Sequence, residues 1–248
     1  MKQLSFIGAL LCMVIAGAAH AQTRSYAVVS LVGDKLDVVT YQMATGSSVD
    51  RNVHEPLPVT DGYFDDAALL ASEKALARID AKAKISLFAA SSPSWYADQA
   101  RFFDGTKAVL PADLTAALRT EGATHLLLIT KYRGDARLQA YRTKLGSGKL
   151  EGLGFYIDHS MKMITRDTLK RSVGFLAAYS YVRLSLIDLA SSTVMRSQTT
   201  IASRLNSTAR GEGFDPWQAM TPGEKLMNVR ELLEGEIARL VPEVVVLP

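Results

Sequence analysis

Residues 174–203, GFLAAYSYVRLSLIDLASSTVMRSQTTIAS, decide the class of fold. Both ends of this stretch are rich in apolar and β-branched residues, and a polar segment at 188–192 separates them. That pattern predicts two long strands, at about 174–187 and 193–203, with a turn between them. The sequence therefore predicts a long pair of antiparallel strands late in the chain.

Shorter apolar runs earlier in the chain predict further strands. They lie at 26–32 (YAVVSLV), 36–41 (LDVVTY), 85–89 (ISLFA) and 125–132 (HLLLITKY). Gly33-Asp34-Lys35 separates the first two runs and predicts a tight hairpin turn. Residues 42–64 are rich in Gly, Ser, Pro and Asp, so we expect a loop with at most a short edge segment.

Four segments carry the signals of helices. Asp65 is a candidate cap for a helix that runs to about residue 84, and Ser92-Pro93 predicts the start of a second helix, to about 103. A third helix begins at Pro111 and ends before Gly122. The last begins at Thr221, where Pro222 and Glu224 complete a capping box, and we expect Pro242 to end it.

The mixture of strands and helices predicts an α/β fold, with an α+β mixed sheet. We expect a single domain over residues 22–248, with five to seven strands and helices packed on the sheet. The segment 143–171 holds four glycines and no regular apolar pattern, so we expect it to be an irregular, Gly-rich insertion.

Residues 1–21 have the pattern of a secretory signal peptide. Lys2 precedes the apolar run LSFIGALLCMVIA at 4–16, and Ala19 and Ala21 occupy the −3 and −1 positions of a cleavage site. We therefore expect a periplasmic protein that begins at Gln22. The chain's single cysteine, Cys12, lies inside the apolar run, where it is badly placed for lipidation, and cleavage would remove it.

Composition limits the possible functions. The formal net charge is +3, which is too small to recruit nucleic acid by itself. No other apolar run approaches the roughly 20 residues of a membrane helix, so any association with a membrane must use other means. Without Cys12 the chain has no thiolate chemistry, and no motif for a cofactor occurs, so we expect none.

The run 111–129 (PADLTAALRTEGATHLLLI) joins a helix, a glycine stop, a small-residue turn and a strand, and 181–194 (YVRLSLIDLASSTV) leads one strand through a turn into the next. This order is similar to the small α/β domain of bacterial envelope proteins. Examples are the N-terminal domain of the Tol-system propeller protein and the periplasmic domain of the curli-secretion channel subunit. The resemblance implies a fold and a compartment, and it carries over no catalytic residue.

One run of residues invites a catalytic interpretation. Asp158, His159 and Ser160 are the residue types of a hydrolytic triad, but triad members meet in space and not in consecutive sequence. The chain also lacks a G-x-S-x-G elbow to present a serine. A periplasmic hydrolase that uses Asp158 and His159 with a loop serine is therefore an alternative, and the leading expectation is no catalytic residue.

Two other patterns predict no site. His54, Glu55, Asp61, Asp65 and Asp66 form the densest set of possible metal ligands, but their spacing matches neither H-E-x-x-H nor a calcium loop, so no metal site is expected. The run 146–149 (GSGK) resembles part of a phosphate loop. It lacks the glycine and the Ser/Thr that the full motif requires, and no helix follows it.

The segment 143–171 remains the most suggestive region. Its basic residues Lys162, Arg166, Lys170 and Arg171 are candidate contacts for a partner. The segment could equally be a mobile surface loop, or a hairpin extension that assembles between subunits or enters a membrane. We expect a non-enzymatic protein that makes protein contacts in the cell envelope. An oligomeric or membrane-associating subunit of an assembly or secretion system is a further alternative.

Overall fold

The computed structural model describes residues 24–33, 35–43, 50–60, 62–90, 92–140, 142–164, 171–206 and 215–246. The predicted signal peptide lies outside these ranges. The helices are α1 (Tyr63–Ile79), α2 (Ser94–Ala97), α3 (Ala112–Thr120) and α4 (Pro222–Val245). The strands are β1 (Ser25–Ser30), β2 (Lys35–Thr40), β3 (Val53–Pro58), β4 (Lys84–Phe88), β5 (Phe103–Asp104), β6 (Lys107–Ala108), β7 (His125–Lys131), β8 (Arg133–Asp135), β9 (Leu138–Gln139), β10 (Lys144–Leu145), β11 (Lys149–Ile164), β12 (Arg171–Asp188) and β13 (Thr193–Asn206).

The long strands β12 and β13 organise a mixed sheet of eleven strands. One edge of β12 pairs with β13. Its other edge pairs first with β11, through Tyr181, and then with β7, from Val182 onward. The sheet therefore divides on this side into two branches that share β12.

The two branches differ in their strand directions. In the β7 branch, β4, β1 and β7 are parallel to one another. In the β11 branch, β2 is parallel to β11, and β3 forms an antiparallel edge on β2. The chain passes from the β7 branch to the β11 branch between β1 and β2, returns between β3 and β4, and passes to the β11 branch again between β7 and β11.

Side chains alternate between the two faces of the sheet, as the period of two of a strand requires. One face packs against α1 and α4 in a core that extends over both branches. This core contains Val28, Leu127, Phe155 and Leu184 from the sheet and Leu233 from α4. Burial of this continuous apolar face stabilises the fold and holds both branches to one pair of helices.

The opposite face has two separate covers. In the β7 branch, Val29 and Leu128 pack against Trp95, Phe102 and Leu118, which come from α2, a short 3₁₀ helix and α3. In the β11 branch, the cover is the segment 136–150. Its buried members Ala136, Leu138 and Leu150 lie over Tyr156, Phe175, Ala177, Tyr179 and Tyr181.

The predicted mixed α/β class is confirmed, but the sheet has more strands than the five to seven expected. Apart from β11, the strands that the sequence does not reveal are short, or contain proline. The strand β3 carries two prolines and is exposed along its length, whereas β5 and β6 have two residues each. Neither type shows the alternating apolar pattern on which strand prediction depends.

The predicted hairpin between β1 and β2 is wrong. The strand β1 pairs with β4 and β7, and β2 pairs with β3 and β11. A tight turn was expected because Gly33 lies between two apolar runs, and Gly33 does have a positive φ of 88°. The turn instead passes the chain from one branch to the other.

The irregular insertion predicted at 143–171 is also corrected, because β11 occupies Lys149–Ile164 in the interior of the sheet. The glycines that indicated a loop allow close packing. A Cβ at Gly154 would lie 1.9 Å from the carbonyl oxygen of Asp37 and 2.6 Å from the hydroxyl of Tyr179. Glycine is therefore required there by the approach of β2.

The helix ends differ in detail from the predictions. The helix α1 starts at Tyr63 instead of being capped by Asp65, and the second predicted helix is one turn followed by a 3₁₀ turn. The capping box at Thr221 and Glu224 is confirmed. Pro242 lies inside α4, which continues to Val245. No helix in the described part of the chain is long and apolar enough to cross a membrane.

Candidate functional site: a hairpin arm and a cleft where the sheet divides

The strands β11 and β12 extend past their neighbours. The last pairing of β2 with β11 is at Ile157, and β13 begins to pair with β12 at Leu176. Beyond these points β11 and β12 pair with each other, through Lys162 with Val173 and onward to Ile164 with Arg171. We call residues 159–164 and 171–174 the hairpin arm. Among the described residues, no third strand joins it.

Asp158 builds the base of the arm. Its buried carboxylate accepts hydrogen bonds from the Ser160 backbone N–H at 2.7 Å, the Ser160 hydroxyl at 2.9 Å and the Met161 N–H at 2.9 Å. These bonds close a β-bulge, where the register with β12 shifts. On the opposite strand, Gly174 has a φ of 84°, and a Cβ there would lie 2.7 Å from the Asp158 carbonyl oxygen.

Two residues of the hydrolase alternative, Asp158 and Ser160, are therefore parts of this β-bulge. The Ser160 hydroxyl donates directly to Asp158, whereas a triad needs a histidine between the serine and the carboxylate. His159 and Ser160 are both exposed. These contacts stabilise a bend in β11 and do not assemble an activated nucleophile.

Two of the four predicted contact residues, Lys162 and Arg171, belong to the arm. Lys162 is exposed on β11. Arg171 begins β12, opposite Ile164. Arg166 and Lys170 lie outside the described residues. The prediction that these residues contact a partner is not tested by the structure.

A second feature is a cleft of about 850 Å³ between the two branches. On one side lie the carboxyl ends of the parallel strands β4, β1 and β7, and on the other the first residues of β2 and β11. Ligands in open α/β sheets commonly bind outside the carboxyl ends of parallel strands. The side chains that line it include Lys35, Asp37, His54, Asp65, Asp66, Tyr96, Lys131 and Glu151.

Asp65 forms one wall of this cleft. Its carboxylate accepts hydrogen bonds from the backbone N–H of Val32 at 2.9 Å and of Gly33 at 3.4 Å, and from the Tyr96 hydroxyl at 2.9 Å. Only 6% of the residue is exposed. Burial raises the pKa of this carboxyl above its ordinary value, against the opposing effect of the hydrogen bonds.

Gln99 joins the chain just after β1 to the last residue of β7. Its side chain accepts from the Lys131 backbone N–H at 2.7 Å and donates to the Leu31 carbonyl at 2.6 Å. The side chain of Lys131 lies along two glycines with positive φ. A Cβ at Gly152 would be 3.1 Å from Lys131 Cδ, and one at Gly33 would be 3.4 Å from Lys131 Nζ. The glycines thus make room for this lysine in the cleft.

A histidine–carboxylate pair lies on the β2 side. His54 Nδ1 is 2.8 Å from Asp37 Oδ2, and the Tyr179 hydroxyl donates to the Asp37 carbonyl at 3.1 Å and to its carboxylate at 3.3 Å. Burial is the main cause that raises the pKa of Tyr179 well above its usual range. No local sequence motif contains both residues of this pair, because the antiparallel pairing of β2 with β3 is what brings them together.

The residues considered as metal ligands are partly gathered in the cleft. His54, Asp65 and Asp66 line it, whereas Asp61 falls outside the described residues. Among the residues with described positions, no group of three His, Cys, Asp or Glu side chains is close enough to hold a metal ion. The segment 146–149, which resembles part of a phosphate loop in sequence, contacts the residues just before β3. Asp50 there accepts a hydrogen bond from the Lys149 backbone N–H at 2.6 Å.

Comparison with known proteins gives no family for this chain. No protein-family model matches the sequence, and no curated protein matches it at a significant level. Solved structures give low-scoring matches over most of the chain. A protein from Xanthomonas campestris with the family-model name DUF330 has 9% identity and a TM-score of 0.39, covering 88% of this chain and 81% of that one.

Two further matches are a homolog of a neuraminyllactose-binding hemagglutinin from Helicobacter pylori and the PelC dodecamer from Paraburkholderia phytofirmans. The first has 12% identity and a TM-score of 0.35, covering 91% of this chain and 87% of that one. The second has 10% identity and a TM-score of 0.31, covering 91% and 89%. Similarity at this level transfers neither an activity nor a partner to this chain.

Proposed function

We propose that this chain is an exported protein of the bacterial envelope that acts by contact with a protein partner through the hairpin arm, and not by catalysis. The observation that carries the proposal is the extension of β11 and β12 beyond β2 and β13. Strands that extend past their neighbours can offer unpaired backbone to a partner without disturbing the core. The periplasmic location rests on the signal-peptide pattern of residues 1–21.

The sequence of the arm, together with that of residues 165–170 between its two strands, supports an acidic partner. Lys162, Arg166, Lys170 and Arg171 put four basic side chains within ten residues of sequence, and Asp167 is the only acid among residues 161–171. Complementary charge raises the rate of association and selects among partners. At the base of the arm, the Ser160 hydroxyl donates a hydrogen bond to the Asp158 carboxylate. This contact favours a structural role for the two residues, as support for the arm, over a catalytic role.

Photocrosslinking from position 162 tests this proposal. A photoreactive amino acid replaces Lys162 in the expressed full chain, and the same amino acid at Lys74, an exposed position of α1, is the control. We expect a discrete crosslinked protein from position 162 and none from position 74. Substitution of Arg166, Lys170 and Arg171 by Glu should remove that product. Identical products from both positions would contradict the proposal.

The location is tested separately by the intact mass of the protein recovered from a periplasmic extract. We expect the mass of residues 22–248. A mass that includes residues 1–21, or a lipid adduct at Cys12, would contradict export by signal cleavage as proposed. The hydrolase alternative has its own measurement, since it predicts that His159→Ala abolishes a turnover while the fold is kept.

The cleft favours a second candidate function, the binding of a small ligand. Its volume lies within the range of ordinary ligand sites, and it combines apolar walls with a few converging polar groups. Ala89 is one of the residues that line the cleft, so Ala89→Trp should fill part of it. Small ligands that raise the melting temperature of the wild type should then fail to raise that of the variant.

A further inference from the structure

In the described part of the chain, the lateral edges that β3, β4 and β13 present differ in how they are protected. The edge strand β3 carries Pro56 and Pro58, which lack the N–H groups that an added strand would need. The edge strand β4 has five residues, from Lys84 to Phe88. Prolines and short length are the usual protection of edges against pairing with another chain.

The third edge, that of β13, is long. Its register with β12 shifts at Met195, and from Arg196 to Asn206 the pairing with β12 is regular. On its outer side, the described strands offer one pairing, between Thr193 and Lys107 of β6. In this eleven-residue segment every second residue therefore directs its backbone N–H and C=O outward, where no described strand pairs with them.

This edge also lacks the usual protective side chains. The segment 196–206 contains neither proline nor lysine. Both of its charged side chains bind to α4 or to the residue that follows it. Arg196 donates to the Glu243 and Val246 carbonyls at 2.8 and 3.0 Å, and Arg204 donates to the Glu231 carboxylate at 2.9 Å. Neither guanidinium is placed to repel an incoming strand.

We propose that a second copy of this chain adds its β13 to this edge in antiparallel orientation, with Ile201 on the two-fold axis. Pairing the whole regular segment with itself sets Arg196 opposite Asn206 and Arg204 opposite Gln198, so no like charges face each other. It also sets the two Ile201 side chains, each 38% exposed, against one another. Antiparallel self-pairing of one edge is an isologous contact, the commonest form of homodimer.

The faces of β13 agree with this arrangement. Ser197 bonds to Ser185 at 3.0 Å and Ser203 accepts from the Gln139 N–H at 2.7 Å, so alternate residues point away from α4. Ile201 belongs to this set by its position. The pair at the axis therefore lies on the face opposite α4, where a second apolar side chain can cover it.

Sedimentation equilibrium of the full chain tests the proposal. We expect a monomer–dimer equilibrium in which Ile201→Lys raises the dissociation constant at least tenfold, because two ammonium groups then face each other at the axis. Leu87→Lys on β4 is the matched control, with 37% of the leucine exposed, and it should leave the constant unchanged. Circular dichroism checks that both variants fold.

A cysteine at position 201 tests the register independently of stability. On a Cys12→Ser background, Ile201→Cys should give a disulfide-linked dimer under mild oxidation, and Leu87→Cys should not. A wild type that is monomeric at all concentrations would overturn the proposal. A dimer that tolerates Ile201→Lys, or that Leu87→Lys disrupts equally, or that gives no disulfide at position 201, would overturn it as well.

Discussion

At the scale of single residues, Asp65 shows how one side chain can connect separate parts of a fold. It lies in the first turn of α1, where the sequence indicated a helix cap. Its carboxylate instead reaches the Val32 and Gly33 N–H groups in the passage between β1 and β2, and the Tyr96 hydroxyl. A capping residue and a buried acceptor have the same residue type, so local sequence cannot distinguish them.

Substitutions at Asp65 show how much its hydrogen bonds contribute to the free energy of unfolding. Asp65→Ala removes the acceptor of these three hydrogen bonds, and we expect it to lower the free energy of unfolding by about 2–4 kcal/mol. Asp65→Asn keeps a carbonyl oxygen for the backbone donors and should cost less. Urea denaturation at neutral pH measures both. Equal losses in the two variants would show that the hydrogen bonds to residue 65 contribute little.

The raised pKa of Asp65 predicts a dependence on pH. The folded protein holds this proton more tightly than the unfolded chain, so the free energy of unfolding falls as the pH rises above the ordinary carboxyl value of about 4. Asp65→Asn does not titrate. The wild type should therefore lose stability relative to this variant between about pH 4 and neutrality. A difference that does not change with pH would contradict the prediction.

Substitution of two glycines by alanine should change the free energy of unfolding in opposite directions. A Cβ at Gly154 meets the Asp37 carbonyl at 1.9 Å, whereas one at Gly235, inside α4, meets nothing within 4 Å. We expect Gly154→Ala to cost about 3 kcal/mol or more, as an overpacked core does. Gly235→Ala should stabilise by about 0.5–1 kcal/mol, because alanine favours the helix. Thermal and urea denaturation of both variants provide the test.

At the scale of elements, β11 and α4 differ in how clearly the sequence shows them. The start of α4 is encoded locally, since Thr221 accepts from the Glu224 N–H and the Glu224 carboxylate accepts from Thr221. The course of β11 depends on β2 and β12, which lie far away in sequence. A helix end can therefore be predicted from four residues, whereas a glycine-rich interior strand cannot.

The capping box gives a prediction at this scale. Thr221→Ala should lower the free energy of unfolding by about 1 kcal/mol, because the first turn of α4 loses its side-chain acceptor. Thr221→Ser keeps the hydroxyl and should lose little. Denaturant midpoints of the two variants are the measurement. A serine variant as unstable as the alanine variant would show that the methyl group, and not the cap, is important.

At the scale of the whole molecule, the shared strand and the shared core lead us to expect that the two branches unfold together. They share β12, and one apolar core under α1 and α4 extends over both. Trp95 is buried in the β7 branch, whereas Trp217 packs edge-on against Phe155 in the β11 branch, with 5.5 Å between ring centroids. Each tryptophan therefore reports on its own branch.

Two single-tryptophan variants test this cooperativity. In Trp95→Phe and in Trp217→Phe, we expect the fluorescence transition in urea to coincide with the far-UV circular dichroism transition of the same variant. Separate transitions in either variant would show that one branch unfolds before the other. The shared strand would then be insufficient to couple them.

The sequence by itself determined the mixed α/β class, the long strands β12 and β13, and the capped start of α4. Each of these depends on residues close together in the chain, through apolar periodicity or a local hydrogen bond. Only the tertiary structure decided that β1 and β2 belong to different branches, that Gly154 lies inside the sheet, and that Asp37 meets His54. Strand pairing joins residues that are distant in sequence, and a glycine required for close packing has the same local signature as one in a loop.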